Sequence, residues 1–346
     1  MIVSIGTKIK DGPWGGGNLF AINLRNYLEK KGHRVINNLD DNDIDVILIT
    51  EPRKTSESSA FSHVNVSRYL RYVNSKTLVA HRINECDERK GTNYVNNYMK
   101  YSNRFADQTI FVSNWLKNLY EDQGINKKNN SVVMAGADKD IFNTIDKKKW
   151  DGDSKIRLVT HHWGANWNKG FDIYSKLDEM LEHPRWSNKI EFTYIGNVPD
   201  KFTFKNAKLI NPLSGKELAD EIKSNHIYVT GSLNEPSGNH HIEGAQCGLP
   251  ILYVDSGGTT EYCKNFGIAI NLDTLEEKLD EMINNYDHFF NILKEYPYSS
   301  ETMCQEYLEI FEDMISNREK LISSRIESFQ ANSISKVFYS FFRSLI

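Results

Sequence analysis

Glu235 and Glu243 stand with seven residues between them, in the segment EPSGNHHIEGAQCGLP that ends at Pro250. If Ser237 caps the helix that follows, Glu235 sits just before its positive end and Glu243 one to two turns inside it. His240 and Glu243 then share a face at i, i+3 spacing. The open amides around Gly238, Asn239 and His240 point at whatever occupies the mouth. An anion fits there, with a carboxylate on either side. The competing reading makes Glu243 a plain surface residue of an amphipathic helix. Against it, EGAQCGLPIL is small and apolar, where an unpaired glutamate is costly and a pair of ligand hydroxyls is a natural partner.

A second cluster, HHWGANWNKGFDIY, begins at His161. Lys169 precedes Gly170 at the opening of a helix, where an ammonium opposes the helix dipole unless it meets an anion such as a diphosphate. His161, His162 and Trp163 line the loop before it. His81, at the end of an apolar run and followed by Arg82, Asn84 and Glu85, is a third candidate. A lone histidine is as often structural, and no second His or Cys stands at metal-ligand spacing. A fourth candidate is GPWGGGNLF, starting at Gly12, where Gly16 and Gly17 let a backbone approach a ligand. Its glycines lack the spacing of a nicotinamide fingerprint, so a flexible loop over a substrate, or a plain turn, is the better reading. Asp43-Ile44-Asp45 mimics a metal-holding D-x-D pair, but it precedes a strand rather than following one.

These candidates need elements that bring them together. Strand-like runs are expected at 2–6, 34–39, 46–50, 77–82, 108–113 and 131–135, with helical periodicity at 19–30, 64–73, 94–105 and 114–122. The alternation restarts with strands at 156–161, 190–196, 207–210, 227–230, 251–254 and 268–270. Alternation of this kind predicts an α/β fold with parallel sheets, in which ligands bind at the carboxyl ends of the strands. The candidates fall just after strands.

At 346 residues the chain exceeds what one core usually supports, so two domains are expected. The polar passage TIDKKKWDGDSK has linker composition and sets the expected division: 1–147, 148–320, and a helical segment 321–346 packing back on the first domain. Its lysine run reads as solvated surface. The last stretch, SISKVFYSFFRSLI, is aromatic and amphipathic, which is compatible with a weak peripheral membrane contact, although it carries only two cations.

Composition excludes some classes. A net charge of -4 argues against a nucleic-acid partner. Four scattered cysteines without C-x-x-C spacing fit a reducing cytosol, and the first residues read as a strand rather than a signal peptide. A cytoplasmic location is expected, with no apolar run of membrane-spanning length.

Taken together, these stretches outline a nucleotide-sugar diphosphate site. The chain resembles the retaining glycosyltransferases of the GT-B fold, family four, over most of residues 1–270. The E-x7-E motif from Glu235 to Glu243, with its tail to Pro250, Gly257-Gly258 and Glu261, carries most of the resemblance. The glycine loop, His81, ADQTIFVSNWLK, MAGADKDIF and Lys169-Gly170 follow in the expected order. The resemblance implies two Rossmann-like, doubly wound domains facing a central cleft, and transfer of a hexose-type sugar, with retention, from a nucleotide-diphosphate sugar to an acceptor hydroxyl. Polysaccharide or glycoconjugate synthesis would be its setting, with a saccharide or glycoconjugate as acceptor.

It also implies roles. Glu243 would bind the ribose hydroxyls; Lys169, His162 and the amides of Gly238, Asn239 and His240 would hold the diphosphate. Glu235 would contact the transferred sugar, His81 would reach that sugar from the other domain, and Gly16 and Gly17 would lie near the phosphates or acceptor. Catalysis would then rest on His81, Lys169 and Glu235. No metal and no cofactor is expected, since lysine and amides do the work of a cation. One departure stands out: the arginine usual five or six residues before the lysine is replaced by Trp163 and Gly164, so His161, His162 or a residue from elsewhere takes its place. A sugar-nucleotide epimerase and a non-catalytic sugar-nucleotide-binding protein are the alternatives on the same fold.

Overall fold

Valine and isoleucine crowd the expected strand positions, and among the described residues twelve strands form there. The computed structural model describes residues 1–10, 15–325, 329, 331 and 333–343. Part of the glycine loop (11–14) and parts of the terminal segment (326–328, 330, 332 and 344–346) lie outside them. The chain divides into two units, 1–133 with 303–346, and 134–302.

In the first unit β1 (Ile2–Ile5), β2 (Arg34–Ile36), β3 (Val46–Ile49), β4 (Leu78–Ile83), β5 (Gln108–Phe111) and β6 (Asn130–Val132) form one sheet. Its order is β2-β1-β3-β4-β5-β6, with every pairing parallel. Strand alternation sends successive side chains to opposite faces. Val3, Ile5, Val46 and Leu48 thus meet Phe20 and Leu24 of the helix Gly16–Lys30. Ile47 and Ile49 meet Val66, Tyr69 and Leu70 of the helix His63–Tyr72. Ser62 caps that second helix through a reciprocal bond pair with Asn65.

In the second unit β7 (Ile156–His162), β8 (Ile190–Gly196), β9 (Lys208–Ile210), β10 (Ile227–Thr230), β11 (Ile251–Val254) and β12 (Gly267–Ile270) are ordered β12-β11-β10-β7-β8-β9, again all parallel. Phe171, Tyr174 and Leu177 of the helix Phe171–Met180 cover one face. Ile242 and Ala245 of the helix Asn239–Gln246 lie in the core on the other.

The unit boundaries differ from the expected division at 147/148. Residues after 133 already belong to the second unit: Phe142 packs with Cys247 and Leu249, and the Ala135 amide donates to the Tyr262 hydroxyl at 2.9 Å. Composition misled because Lys147, in the run read as solvated, is half-buried and donates to the backbone carbonyls of Lys223 and Asn225. Burial lowers its pKa to about 8.

The helix Ser300–Ser316, expected in the second domain, joins the first unit from residue 303 onward. Tyr307 and Phe311 enter that unit's core beside Phe20. Arg325 then grips buried Asp107 through two nitrogens at 2.7 Å each. The terminal helix Ser333–Arg343 belongs to the same unit, with Tyr339 stacked on Tyr72 at 4.8 Å, while Ile334, Val337 and Phe338 stay exposed. No helix among the described residues is long and apolar enough to cross a membrane.

One backbone contact in the second unit sets where the lysine turn lies. Gly170 has φ +107°, and a Cβ there would fall 2.4 Å from Gly231 at the end of β10. Gly170→Ala is expected to destabilise the protein by at least the ~1–3 kcal/mol of a strained left-handed residue. A urea midpoint equal to wild type would refute that account of the contact.

Candidate functional site

In the second unit the chain runs from β7 outward to β8 and β9, then returns to β10 on the other side of β7. The strand order reverses between β7 and β10, and in open α/β sheets the crevice outside the carboxyl ends at such a reversal is where ligands bind. Lys169 follows β7; Glu235 and the helix Asn239–Gln246 follow β10.

The turn Trp167–Lys169 is tied to the loop after β10, with the Leu233 amide donating to the Asn168 carbonyl at 2.8 Å. The loop is held in turn from the next crossover: the Gly258 amide donates to the Glu235 carbonyl at 2.8 Å, and the Asn234 amide to Ser256 Oγ at 2.8 Å. Within this frame Lys169 Nζ donates to Glu235 Oε2 at 2.7 Å. The two residues are 9% and 6% exposed, so each charge has its partner inside the protein rather than in water. Gly164 lies beside them, 3.7 Å from Lys169 Cε as measured from an added Cβ, and exposed Trp163 precedes it.

The helix Asn239–Gln246 begins without a side-chain cap. Ser237, expected as its cap, is replaced in that role by Gly238, whose φ of +77° makes the turn. A Cβ at Gly238 would fall 2.6 Å from His241 Cε1, so glycine also leaves room for the imidazole. The amides of Asn239 and His240 belong to the first turn, where a helix has no partner of its own to offer them.

Glu243 is 7% exposed, and its Oε2 lies 2.7 Å from His161 Nε2. The other ring nitrogen of His161 meets the Tyr228 hydroxyl at 3.0 Å, and the His161 amide donates to the same hydroxyl. Burial holds the Tyr228 pKa well above its ordinary value, so its proton stays available for Nδ1. With Nδ1 facing the Tyr228 hydroxyl, Nε2 is the ring nitrogen placed to donate to Glu243. Glu243 Oε1 has no hydrogen-bond partner among the described residues.

His162 is buried and meets the Tyr174 hydroxyl at 2.7 Å; its ring centroid is 4.5 Å from that of His240. His240 Nε2 lies 2.8 Å from Thr230 Oγ1, and burial among neighbouring histidines lowers its pKa well below the ordinary imidazole value. Both imidazoles thus engage the protein itself, and His240 is neutral. Neither side chain is an evident substitute for a cationic arginine. Tyr174, the last residue of the HHWGANWNKGFDIY cluster, holds His162, and Tyr228 of β10 holds His161; the sequence reading names neither as a site residue.

The structure brings His162, Lys169, Glu235, Gly238, Asn239, His240 and Glu243 together in the second unit. His81, Gly16 and Gly17 lie in the first. His81 is in β4 with no solvent exposure, and its Nδ1 is 3.0 Å from Asn103 Oδ1. Its strand register turns it to the side of Val79, Ile47 and Ile49, under the helix Val95–Asn103, which corrects the expectation of a ring reaching a substrate. Asp45 of the D-x-D pair accepts from the Ile2 amide and from Arg318, a structural role at the amino end of the sheet. Among the described residues no group of three or more His, Cys, Asp or Glu is arranged to hold a metal ion.

The buried imidazoles make stability pH-dependent. Burial lowers the His81 pKa from 6.5 to about 4 and that of His241 to about 3. Between those limits the unfolded chain binds more protons, so stability falls as pH drops from about 6.5 toward 4 and is flat for these groups above that window. Each group contributes a slope of about 1.4 kcal/mol per pH unit. Urea midpoints at about pH 7.5 and pH 5 should differ, and His81→Asn should remove about one proton from the slope. Equal midpoints in the wild type would contradict this.

No protein-family model matches the chain. It is 21% identical over 230 residues to an uncharacterised protein of Sulfolobus islandicus rod-shaped virus 1, an alignment covering 56% of this chain and 64% of that protein. The chain thus spans less than two thirds of that relative's length.

Solved structures align far more completely. A glycosyltransferase from Rickettsia africae matches with a TM-score of 0.66 at 14% identity, over 91% of this chain and 98% of its own. A sucrose-phosphate synthase from Thermosynechococcus elongatus gives 0.63 at 12% identity, over 91% and 99%. HepE of Anabaena, solved with UDP and glucose, gives 0.63 at 13% identity, over 90% and 99%. The chain therefore has the α/β fold of the GT-B glycosyltransferases, built on two six-stranded parallel sheets with flanking helices.

Proposed function

We propose that this chain is a retaining, metal-independent glycosyltransferase of the family-four type, which moves a sugar from a nucleotide-diphosphate sugar to an acceptor hydroxyl. The observation that carries the reading is the Lys169–Glu235 contact at the strand-order reversal, with Glu235 four residues before the start of a helix whose Glu243 keeps one oxygen unpartnered. A nucleoside diphosphate needs a cation, free amides and an acceptor of ribose hydroxyl hydrogens, and these are the three groups assembled there. The fold neighbours support it, since HepE is solved with UDP-glucose.

Each residue then has a task. Lys169 and the amides of Asn239 and His240 stabilise the negative charge that grows on the leaving diphosphate, more in the transition state than in the ground state. Glu243 accepts from the ribose hydroxyls with Oε1 while His161 and Tyr228 hold its other oxygen. Glu235 orients Lys169 through their 2.7 Å contact, and accepts from the hydroxyls of the transferred sugar. The acceptor hydroxyl attacks from the face the diphosphate leaves, through an oxocarbenium-like transition state, giving retention.

Titration with a panel of UDP-, GDP-, ADP- and TDP-sugars, followed by product analysis with acceptor present, tests this. At least one donor should bind and its sugar should reach an acceptor with the anomeric configuration kept. Epimerised donor as the only product, or binding without transfer to any acceptor tried, would overturn it. Transfer should also survive a chelator; loss restored by Mg²⁺ or Mn²⁺ would refute metal independence.

A further inference from the structure

The first unit has its own reversal of strand order, between β1 and β3, and a cavity of about 330 Å³ lies outside the carboxyl ends there. That is within the range of small-ligand pockets. Thr7 and Lys8 after β1, Thr50 after β3, Arg82 in β4, Asn84 just after it, and Asn18 from the helix Gly16–Lys30 line it. Asn18 fixes the β1 loop by accepting from the Lys10 amide at 2.9 Å and donating to its carbonyl at 2.8 Å.

Arg82 is 6% exposed; its guanidinium lies beside the Tyr307 hydroxyl, its Nε is buried with no hydrogen-bond partner, and no carboxylate pairs with it among the described residues. Its guanidinium lies 4.0 Å from the Phe20 ring centroid, which sets its plane without neutralising its charge. The acids that line the same cavity are committed elsewhere. Glu51 accepts from Arg53 Nε at 2.7 Å, Glu85 pairs with Arg53 and Lys90 at 2.6 Å each, and Glu57 pairs with Lys10 at 3.2 Å. A buried cation without a counter-charge is unfavourable. An oxyanion entering the cavity would supply that charge to the Arg82 guanidinium, the group that binds carboxylate or phosphate most readily.

We propose that this cavity takes the acceptor by an oxyanion, a carboxylate or a phosphate group, held by Arg82 with Lys8 at the rim, so that the acceptor is an acidic or phosphorylated saccharide. This rests on the transferase reading. The register that turns His81 away under its helix is the one that turns Arg82 into the cavity.

The test titrates glucuronic acid, glucose 6-phosphate and glucose into the full-length protein, followed by the Arg82 Nε–H resonance and by affinity. At least one of the two acids should shift that resonance and bind tenfold or more tightly than glucose; which acid does so tells carboxylate from phosphate. Arg82→Gln should bring its affinity down to that of glucose, and Arg82→Lys should fall between. If Arg82→Gln does not fold, the resonance shift in the wild type and the Arg82→Lys comparison decide. Glucose binding as tightly as both acids, an unmoved Nε–H, or undiminished binding in a folded Arg82→Gln would overturn the proposal. A parallel titration of the wild type with UDP-glucose and the other nucleotide sugars reports on the donor reading alone, so failure of one is not mistaken for failure of the other.

Discussion

Lys169→Met is expected to slow sugar transfer by about 10²–10³-fold, the loss typical when one preset group facing a developing oxyanion is removed. The substitution keeps the length and apolar stem of the side chain and deletes the charge. It also leaves the Glu235 carboxylate buried without its partner at 2.7 Å, which is expected to destabilise the protein by about 3–5 kcal/mol. These two consequences have to be separated. Pairing Lys169→Met with Glu235→Gln removes both charges, so the double variant should regain most of the stability and none of the activity. If the double variant regains transfer along with its melting temperature, Lys169 is a structural partner of Glu235 and not a group that meets the diphosphate.

Glu243→Ala is expected to weaken donor binding by roughly 10–160-fold, the affinity equivalent of losing one charge-assisted hydrogen bond of ~1.5–3 kcal/mol. Glu243 accepts from His161 on one oxygen and offers the other, so the ligand group it addresses should be a hydroxyl donor. Inorganic pyrophosphate has no ribose and separates the roles. Its affinity should stay near wild type in Glu243→Ala and fall in the Lys169 variants. An equal loss for pyrophosphate and nucleotide in Glu243→Ala would mean that the substitution disturbs the whole helix end, through the stranded His161, and not the ribose contact.

Much of the fold could be read from residue patterns because parallel strands buried on both faces leave a strong imprint. Each of the twelve expected runs contains or overlaps a strand, and the helix Asn114–Asp122 has the expected limits. What failed was long-range. The polar TIDKKKWDGDSK stretch resembles a linker, but nothing local shows that Lys147 reaches the carbonyls of Lys223 and Asn225, or that the helix Ser300–Ser316 leaves the second unit to pack on Phe20. Spacing alone likewise set Ser237 as the helix cap, although glycine at 238 can make a turn that serine at 237 does not.

The candidate site was legible where it is local. Glu235, Gly238, Asn239, His240 and Glu243 are near in sequence, and Lys169 was drawn to them by the argument that its charge needs an anion. The anion the structure provides is Glu235 itself, 66 positions away. The pairing of His161 with Glu243 was not foreseen, because nothing in either motif encodes the neighbourhood of β7 and β10. His81 and Arg82 show the reverse difficulty. Adjacent in sequence, they lie on opposite faces of β4, and a strand-end argument does not say which of two neighbours faces the cavity.

The most direct test of the donor site is a crystal structure with whichever of UDP, GDP, ADP and TDP binds most tightly. The diphosphate should lie within hydrogen-bonding distance of Lys169 Nζ and the Asn239 and His240 amides, with the ribose hydroxyls on Glu243 Oε1. A nucleotide bound away from β7 and β10, with its phosphates touching none of these groups, would contradict the account.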